Sequence, residues 1–200
     1  MILALLLAQA TAVDAERAFA ADAQKLGQWT AFRKWVDDDA IMFDPQPVDA
    51  KAWLKDRRDP PQAVRWWPTA SYTSCDGIVA ANTGAWRRPD GSVGYFTTVW
   101  FRGKDGRWRW QMDHGDTLST PRPVPREPVV RRAACTRPDL AEPPVVTEPG
   151  ARTNWGRAPD DTLRVRYSVT RDNARVVVVK LWNGREFDAV IVDQVSAPTP

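Results

Sequence analysis

Apolar positions along this chain first recur at helical spacing and then switch to alternation. Val13, Phe19, Ala23 and Leu26 trace an apolar stripe, as a helix packed on a core requires. Thr11 and Asp14 have the spacing of a capping box ahead of it, and Gly27 stands where a helix closes. Trp29, Phe32 and Val36 predict a second helix running into Asp37-Asp38-Asp39. A short strand, Ala40 to Phe43, stops at Asp44-Pro45; Asp49 then caps a third helix that carries Trp53 and Leu54 and ends before Asp59-Pro60-Pro61.

From Ala63 to Leu118 the period becomes two. The strands expected are Val64–Cys75, Ile78–Trp86, Val93–Phe101 and Arg107–Asp116, separated by Asp76-Gly77, Pro89-Asp90-Gly91 and Lys104-Asp105-Gly106. Pro-Asp-Gly between alternating runs signals a type I turn with glycine in the left-handed position, which gives a three-residue hairpin loop. Helices followed by an antiparallel meander make an α+β domain. With such loops Trp100 faces Trp110, Thr98 faces Met112 and Phe96 faces His114. Trp86, Asn82 and Trp108 fall on that same face, which is read as the interior. Arg107, Arg109, Gln111, Asp113, Thr97 and Val99 fall on the other. Two-residue loops would exchange the Phe96 set for the Tyr95 set but keep Trp86, Asn82, Trp110, Met112 and His114 together.

Pro121 to Pro159 is proline-dense with little periodicity and reads as a linker or wrapped arm. Leu163–Thr170, Val176–Leu181 and Phe187–Val192 then read as three more strands, too few to be stable alone. The chain thus divides into a leader over 1–12, a helix-plus-sheet domain over 13–120, an arm over 121–160 and a C-terminal β-meander over 161–195.

Composition changes this picture in three places. Hydrophobic residues at 43% and charged residues at 26% suit a folded globular chain. The net charge of +3 comes from interspersed signs with no basic run longer than a pair, so nucleic acid is not an expected partner. Ile2 to Ala8 is an apolar run too short to span a bilayer, followed by small-residue patterns at Ala8-Gln9-Ala10 and Ala10-Thr11-Ala12. It reads as a secretory leader, though without a preceding Lys or Arg, and predicts a periplasmic or secreted protein with no membrane attachment after cleavage. In that oxidising setting Cys75 and Cys135 are expected to pair, closing a loop of about 60 residues and stapling the arm to the sheet.

The run Asp39-Ala40-Ile41-Met42-Phe43-Asp44-Pro45, then Gly94-Tyr95-Phe96-Thr97-Thr98-Val99-Trp100-Phe101-Arg102, Asp105-Gly106-Arg107-Trp108-Arg109-Trp110 and Asp113-His114-Gly115 resemble the nuclear transport factor 2-like superfamily, nearest its bacterial SnoaL-like branch. The resemblance covers residues 13 to 118. It implies an α+β cone: N-terminal helices packed on a strongly curved antiparallel sheet, with a pocket between them. Cyclases, dehydratases, ketosteroid isomerases and non-catalytic domains share that fold, so it does not select a function. The enzymes place an Asp or His inside the cone, which the resemblance carries onto Asp44 and His114. The oxyanion tyrosine of the isomerases has no counterpart on the first helix.

His114 is the sole histidine and reads either as a general acid or base, with Asp116 as its partner on the same face, or as a hydrogen-bonded core residue. Asp44 is either a pocket carboxylate or the opening of an Asp-Pro turn. Eleven tryptophans supply core and, in part, a cavity lining, for which Trp86, Trp100, Trp110, Met112, Asn82 and Phe96 are the candidates. No metal and no cofactor is expected. Three readings remain open at this point: a binder of a small apolar or aromatic molecule, an acid–base lyase or isomerase using His114 with Asp116 or Asp44, and a non-catalytic module that forms a homodimer.

Overall fold

A computed structural model describes residues 10–136, 138 and 149–198. The apolar run of the expected leader and part of the arm lie outside the described residues. Helix α1 (Ala12–Leu26) begins with the expected capping box: the Thr11 hydroxyl accepts from the Asp14 amide, and the Asp14 carboxylate accepts from the Thr11 amide. Trp108 donates its indole N–H to the Ala10 carbonyl at 2.9 Å. Ala10 and Thr11 are thus tied into the fold, although the expected division assigns them to the leader. Helix α2 (Gln28–Trp35) follows Gly27, and Asp59 accepts from the Trp29 and Thr30 amides at its start. Helix α3 (Ala50–Leu54) is capped by Asp49, as expected.

The strands are β1 (Val36–Asp44), β2 (Gln46–Asp49), β3 (Arg65–Thr73), β4 (Val79–Arg87), β5 (Val93–Arg102), β6 (Trp108–Leu118), β7 (Val129–Arg132), β8 (Arg152–Arg157), β9 (Leu163–Val169), β10 (Arg175–Trp182) and β11 (Phe187–Val195). Seven form one sheet in the order β2-β1-β6-β5-β4-β3-β7, and four form a second in the order β11-β10-β9-β8. The large sheet is mixed rather than antiparallel throughout, because β1 runs parallel to β6 and β7 parallel to β3. β1 contains the expected Ala40–Phe43 strand but starts earlier, taking in the Asp-rich segment expected to end the second helix, and the arm supplies two strands that were not expected, β7 and β8.

The molecule has three layers. On one face of the large sheet, Phe19, Ala23 and Ala31 of the helices pack on Ala80, Trp100 and Trp110. On the other face, Val79, Ala81, Val99 and Met112 pack on Leu163, Val165, Val177 and Val179 of the second sheet. The C-terminal meander thus covers the outer side of the cone, and its apolar face is buried there. Cys75 and Cys135 form a disulfide. The Ala134 amide donates to the Trp182 carbonyl one residue before the bridge, so the staple joins arm, large sheet and second sheet.

Both hairpin loops around β5 are three residues long. Arg88 pairs with Ser92 and Gly103 with Arg107, and Gly91 and Gly106 take φ of 87° and 76°, which only glycine adopts without strain. The register therefore starts as expected, with Trp100 opposite Trp110. It then shifts. Gln111 is an extra residue on β6, so Val99 lies opposite Met112, Thr98 opposite Asp113, Thr97 opposite His114 and Phe96 opposite Gly115. A bulge of this kind returns the alternation to the opposite phase.

Candidate functional site

Beyond Trp110, the bulge inverts every side chain of β6. Asp113 turns in toward the helices, while Met112 and His114 turn out toward the second sheet. Under α1 and α2 this leaves a cavity of about 270 Å³. Phe19, Trp29, Phe32, Trp66, Trp86 and Phe96 give it six aromatic side chains, and Met42 and Val64 add aliphatic wall. Phe19 and Phe32 meet at 65° with centroids 4.8 Å apart, and Phe19 and Trp66 meet at 69° and 4.9 Å. Rings so inclined enclose a box rather than a slot. Gly94 is needed for this shape, because a β-carbon there would occupy the Trp86 ring.

Asp113 supplies the cavity's inner carboxyl. Its Oδ2 accepts from the Thr98 hydroxyl at 2.7 Å, and what is open of it faces the cavity. Water in so narrow a space solvates a charge poorly. Burial pushes the carboxyl up to about 7, opposed only by the Thr98 hydrogen bond.

A second carboxyl, Glu16 of α1, lies behind the aromatic wall with no exposed surface. Trp66 donates to its Oε1 at 2.9 Å; Trp100 and the Asn82 amide donate to its Oε2 at 2.7 and 3.2 Å. Burial outweighs these three donors and, with the neighbouring Asp113 charge, raises Glu16 to about 7. The Asn82 amide also donates to the Ala12 carbonyl, while its oxygen is buried without a donor.

The expected inner face is therefore corrected by one bulge. Trp86 and Phe96 do line the cavity. Trp100 and Trp110 lie on the helix side, wholly buried, and Asn82 there holds Glu16. Met112 belongs to the core between the sheets. His114 has no exposed side-chain surface, and its Nε2 lies 3.0 Å from Oδ2 of Asp193 on β11. Its contribution to the cavity wall is main chain. The imidazole thus does not reach the cavity, and Asp116 is not its hydrogen-bond partner: that carboxylate accepts from the Thr117 amide at 2.7 Å, at the rim. Asp44 stands outside the cavity wall, accepting from the Trp53 indole at 2.5 Å and pairing with Arg57 at 3.3 Å. The structure does not bring His114, Asp116 and Asp44 together.

His114 has another part to play. Asp193 also accepts from the Thr97 hydroxyl at 2.7 Å and lies 3.5 Å from the Arg122 guanidinium. Burial lowers the His114 pKa despite Asp193. Burial would raise Asp193, but the His114 and Thr97 bonds and the Arg122 charge hold it below the usual carboxylate range. A neutral imidazole and an ionised carboxylate thus link the two sheets.

The site that geometry assembles, Glu16 with Asp113 and Thr98, is one that sequence reasoning missed. Glu16 had a signal: it lies four residues after Ala12 and three before Phe19, inside the buried stripe of α1. Asp113 had none, since Trp108 to His114 alternates without interruption.

The fold is an α+β cone. No protein-family model matches the chain, and no curated protein does. Among solved structures, it is similar to a proposed ketosteroid isomerase from Parabacteroides distasonis, at 16% identity and a TM-score of 0.45, over 54% of this chain and 88% of that one. It is also similar to a proposed ketosteroid isomerase from Shewanella frigidimarina, at 14% identity and a TM-score of 0.40, over 55% of this chain and 98% of that one.

Proposed function

We propose that the protein binds a small, largely apolar molecule in the cavity beneath α1 and α2. The observation that carries this reading is the cavity itself: about 270 Å³ walled by six aromatic side chains, with the Asp113 carboxyl inside and Gln28, Arg88, Asp116 and Thr117 completing its lining. An interaction module with a filled cone would have no such space. Apolar walls supply affinity and a few polar groups supply orientation, as is usual in a small-molecule site. Because Trp29, Trp66 and Trp86 all line the space, a bound molecule alters tryptophan emission. Saturable quenching across a panel of small aromatic compounds is expected; an unchanged spectrum across the whole panel would sink the reading.

A second reading, proton transfer, is favoured by one observation. A carboxyl raised to about 7 is divided between its two protonation states near neutral pH, as a general acid or base requires. Asp113 takes the role that sequence reasoning gave to His114. Its carboxylate would remove a proton from carbon beside a carbonyl and return one elsewhere on the same molecule. Deuterium uptake by enolisable ketones in heavy water, read by NMR, tests this; uptake that persists in Asp113→Asn refutes it.

Export completes the proposal. The Cys75–Cys135 bridge suits an oxidising compartment, and no helix among the described residues is long and apolar enough to cross a membrane. The intact mass of the mature chain from a secreting host would give the site of leader cleavage.

A further inference from the structure

The charges around the cavity are unbalanced, and the imbalance indicates what it holds. Asp113 opens into it, and Glu16 lies directly behind the Trp66 wall, bound through the Trp66 indole. Neither carboxyl has a cationic partner: Asp113 receives one hydroxyl, and Glu16 receives two indoles and an amide. Arg88 is the one cation among the described residues that line the cavity, and it lies at the rim with its guanidinium carbon 4.5 Å from the centroid of the Trp86 ring. Asp116 adds a second acid at the rim, and six aromatic side chains make up much of the remaining wall; aromatic faces carry negative potential that attracts cations. Buried carboxylates are ordinarily paired; among the described residues no cation pairs with either of these.

We propose that the ligand of this cavity is an organic cation, an ammonium group carried on a small apolar or aromatic body, with Asp113 as its counter-charge and the tryptophan faces as its cage. The proposal rests on the reading of the cavity as a binding site. An ammonium head meets a carboxyl that the fold largely buries, and beside a buried group the attraction is stronger than in bulk solvent. Its alkyl substituents lie on the rings, where cation–π attraction adds to dispersion. A neutral molecule of the same shape keeps the dispersion and loses both electrostatic contributions, while leaving Asp113 to choose between an uncompensated charge and a proton.

Two probes of equal shape separate these cases. Phenyltrimethylammonium and tert-butylbenzene differ in having nitrogen or carbon at the branch point, hence in charge. The full chain is titrated with each and followed by tryptophan fluorescence. The expected result is that the cation binds on the order of tenfold more tightly or better, and that Asp113→Asn removes most of this preference while still binding tert-butylbenzene. Equal binding of the two probes, or tighter binding of the neutral one, overturns the cation proposal and leaves the cavity reading intact. Failure of both probes to bind overturns the cavity reading and this proposal with it. Should Asp113→Asn misfold, the comparison of the two probes on the unaltered chain still decides.

Discussion

Replacing Glu16 by glutamine should change stability in opposite directions at low and high pH. In the folded protein this carboxyl is raised to about 7 from an ordinary value of 4.5, so between those values the folded state holds a proton that the unfolded chain releases. Where the native state binds more protons, stability falls as pH rises. The favourable contribution of Glu16 is thus complete below about pH 4.5 and is lost as pH rises through about 7. Each pKa unit is about 1.4 kcal/mol, so the raised carboxyl lowers stability by about 3 kcal/mol between pH 4.5 and pH 8. The amide introduced by Glu16→Gln does not titrate and escapes this loss, but its NH₂ must face one of the two indole N–H donors that Glu16 accepts, from Trp66 or Trp100. A buried donor left without an acceptor costs about 1–3 kcal/mol at every pH. The variant should therefore be the less stable form at pH 4.5 by about 1–3 kcal/mol, match the wild type between about pH 5.5 and 7, and be level with it or more stable at pH 8. Urea denaturation of both chains at four pH values measures this, and the difference between them cancels every other titrating group to first order. A wild-type advantage that stays constant with pH, or grows as pH rises, would show that the indoles hold Glu16 ionised and would refute the reasoning.

Three other perturbations test the frame around the site. Reducing the Cys75–Cys135 bridge, which spans a sequence separation of 60, should lower stability by about 4 kcal/mol in the chain-entropy account; a melting temperature unmoved by dithiothreitol, with both thiols shown free by mass, contradicts it. Asp193→Ala leaves the His114 imidazole and the Thr97 hydroxyl buried without their acceptor. It should cost about 2–3 kcal/mol and speed amide exchange in β11 before any in β4. Gly94→Ala places a methyl group in the Trp86 ring and against the Asp116 carbonyl, which should cost about 1–3 kcal/mol through overpacking and displace Trp86, visible as a red-shifted emission maximum.

The elements and loops were legible because each rests on local chemistry. The Thr11–Asp14 box, the Asp49 cap and the two three-residue loops closing on Gly91 and Gly106 are decided within four or five residues. Pairings decided by distant chain were not legible. Nothing in Val129–Arg132, all four exposed, reads as a strand until β3 offers its free edge. Nor does Val36–Asp44 read as a strand from its start, since three aspartates in a row suit a helix end or a loop as well as they suit a solvent-facing edge. The disulfide was legible in pairing and not in consequence: only the structure shows that it holds the second sheet against the first.

The candidate chemistry turned on a single residue. Without the bulge at Gln111, Met112 and His114 would face the helices and Asp113 would face the second sheet. The cone would then hold an imidazole, and its Asp113 would be the group paired between the sheets. With it, the imidazole is spent on Asp193 as part of the joint between sheets, and the cavity holds a carboxyl instead. Pairing with β1 is irregular at the same place: Val36 lies opposite Trp110 and Ile41 opposite Met112, so β1 carries the longer path past the bulge. Side-chain alternation cannot report it, because an inserted residue leaves both flanking runs individually regular. Composition does not report it either: the tryptophans on β3 and β5 and the asparagine on β4 that donate to Glu16 face the helices with or without the extra residue on β6.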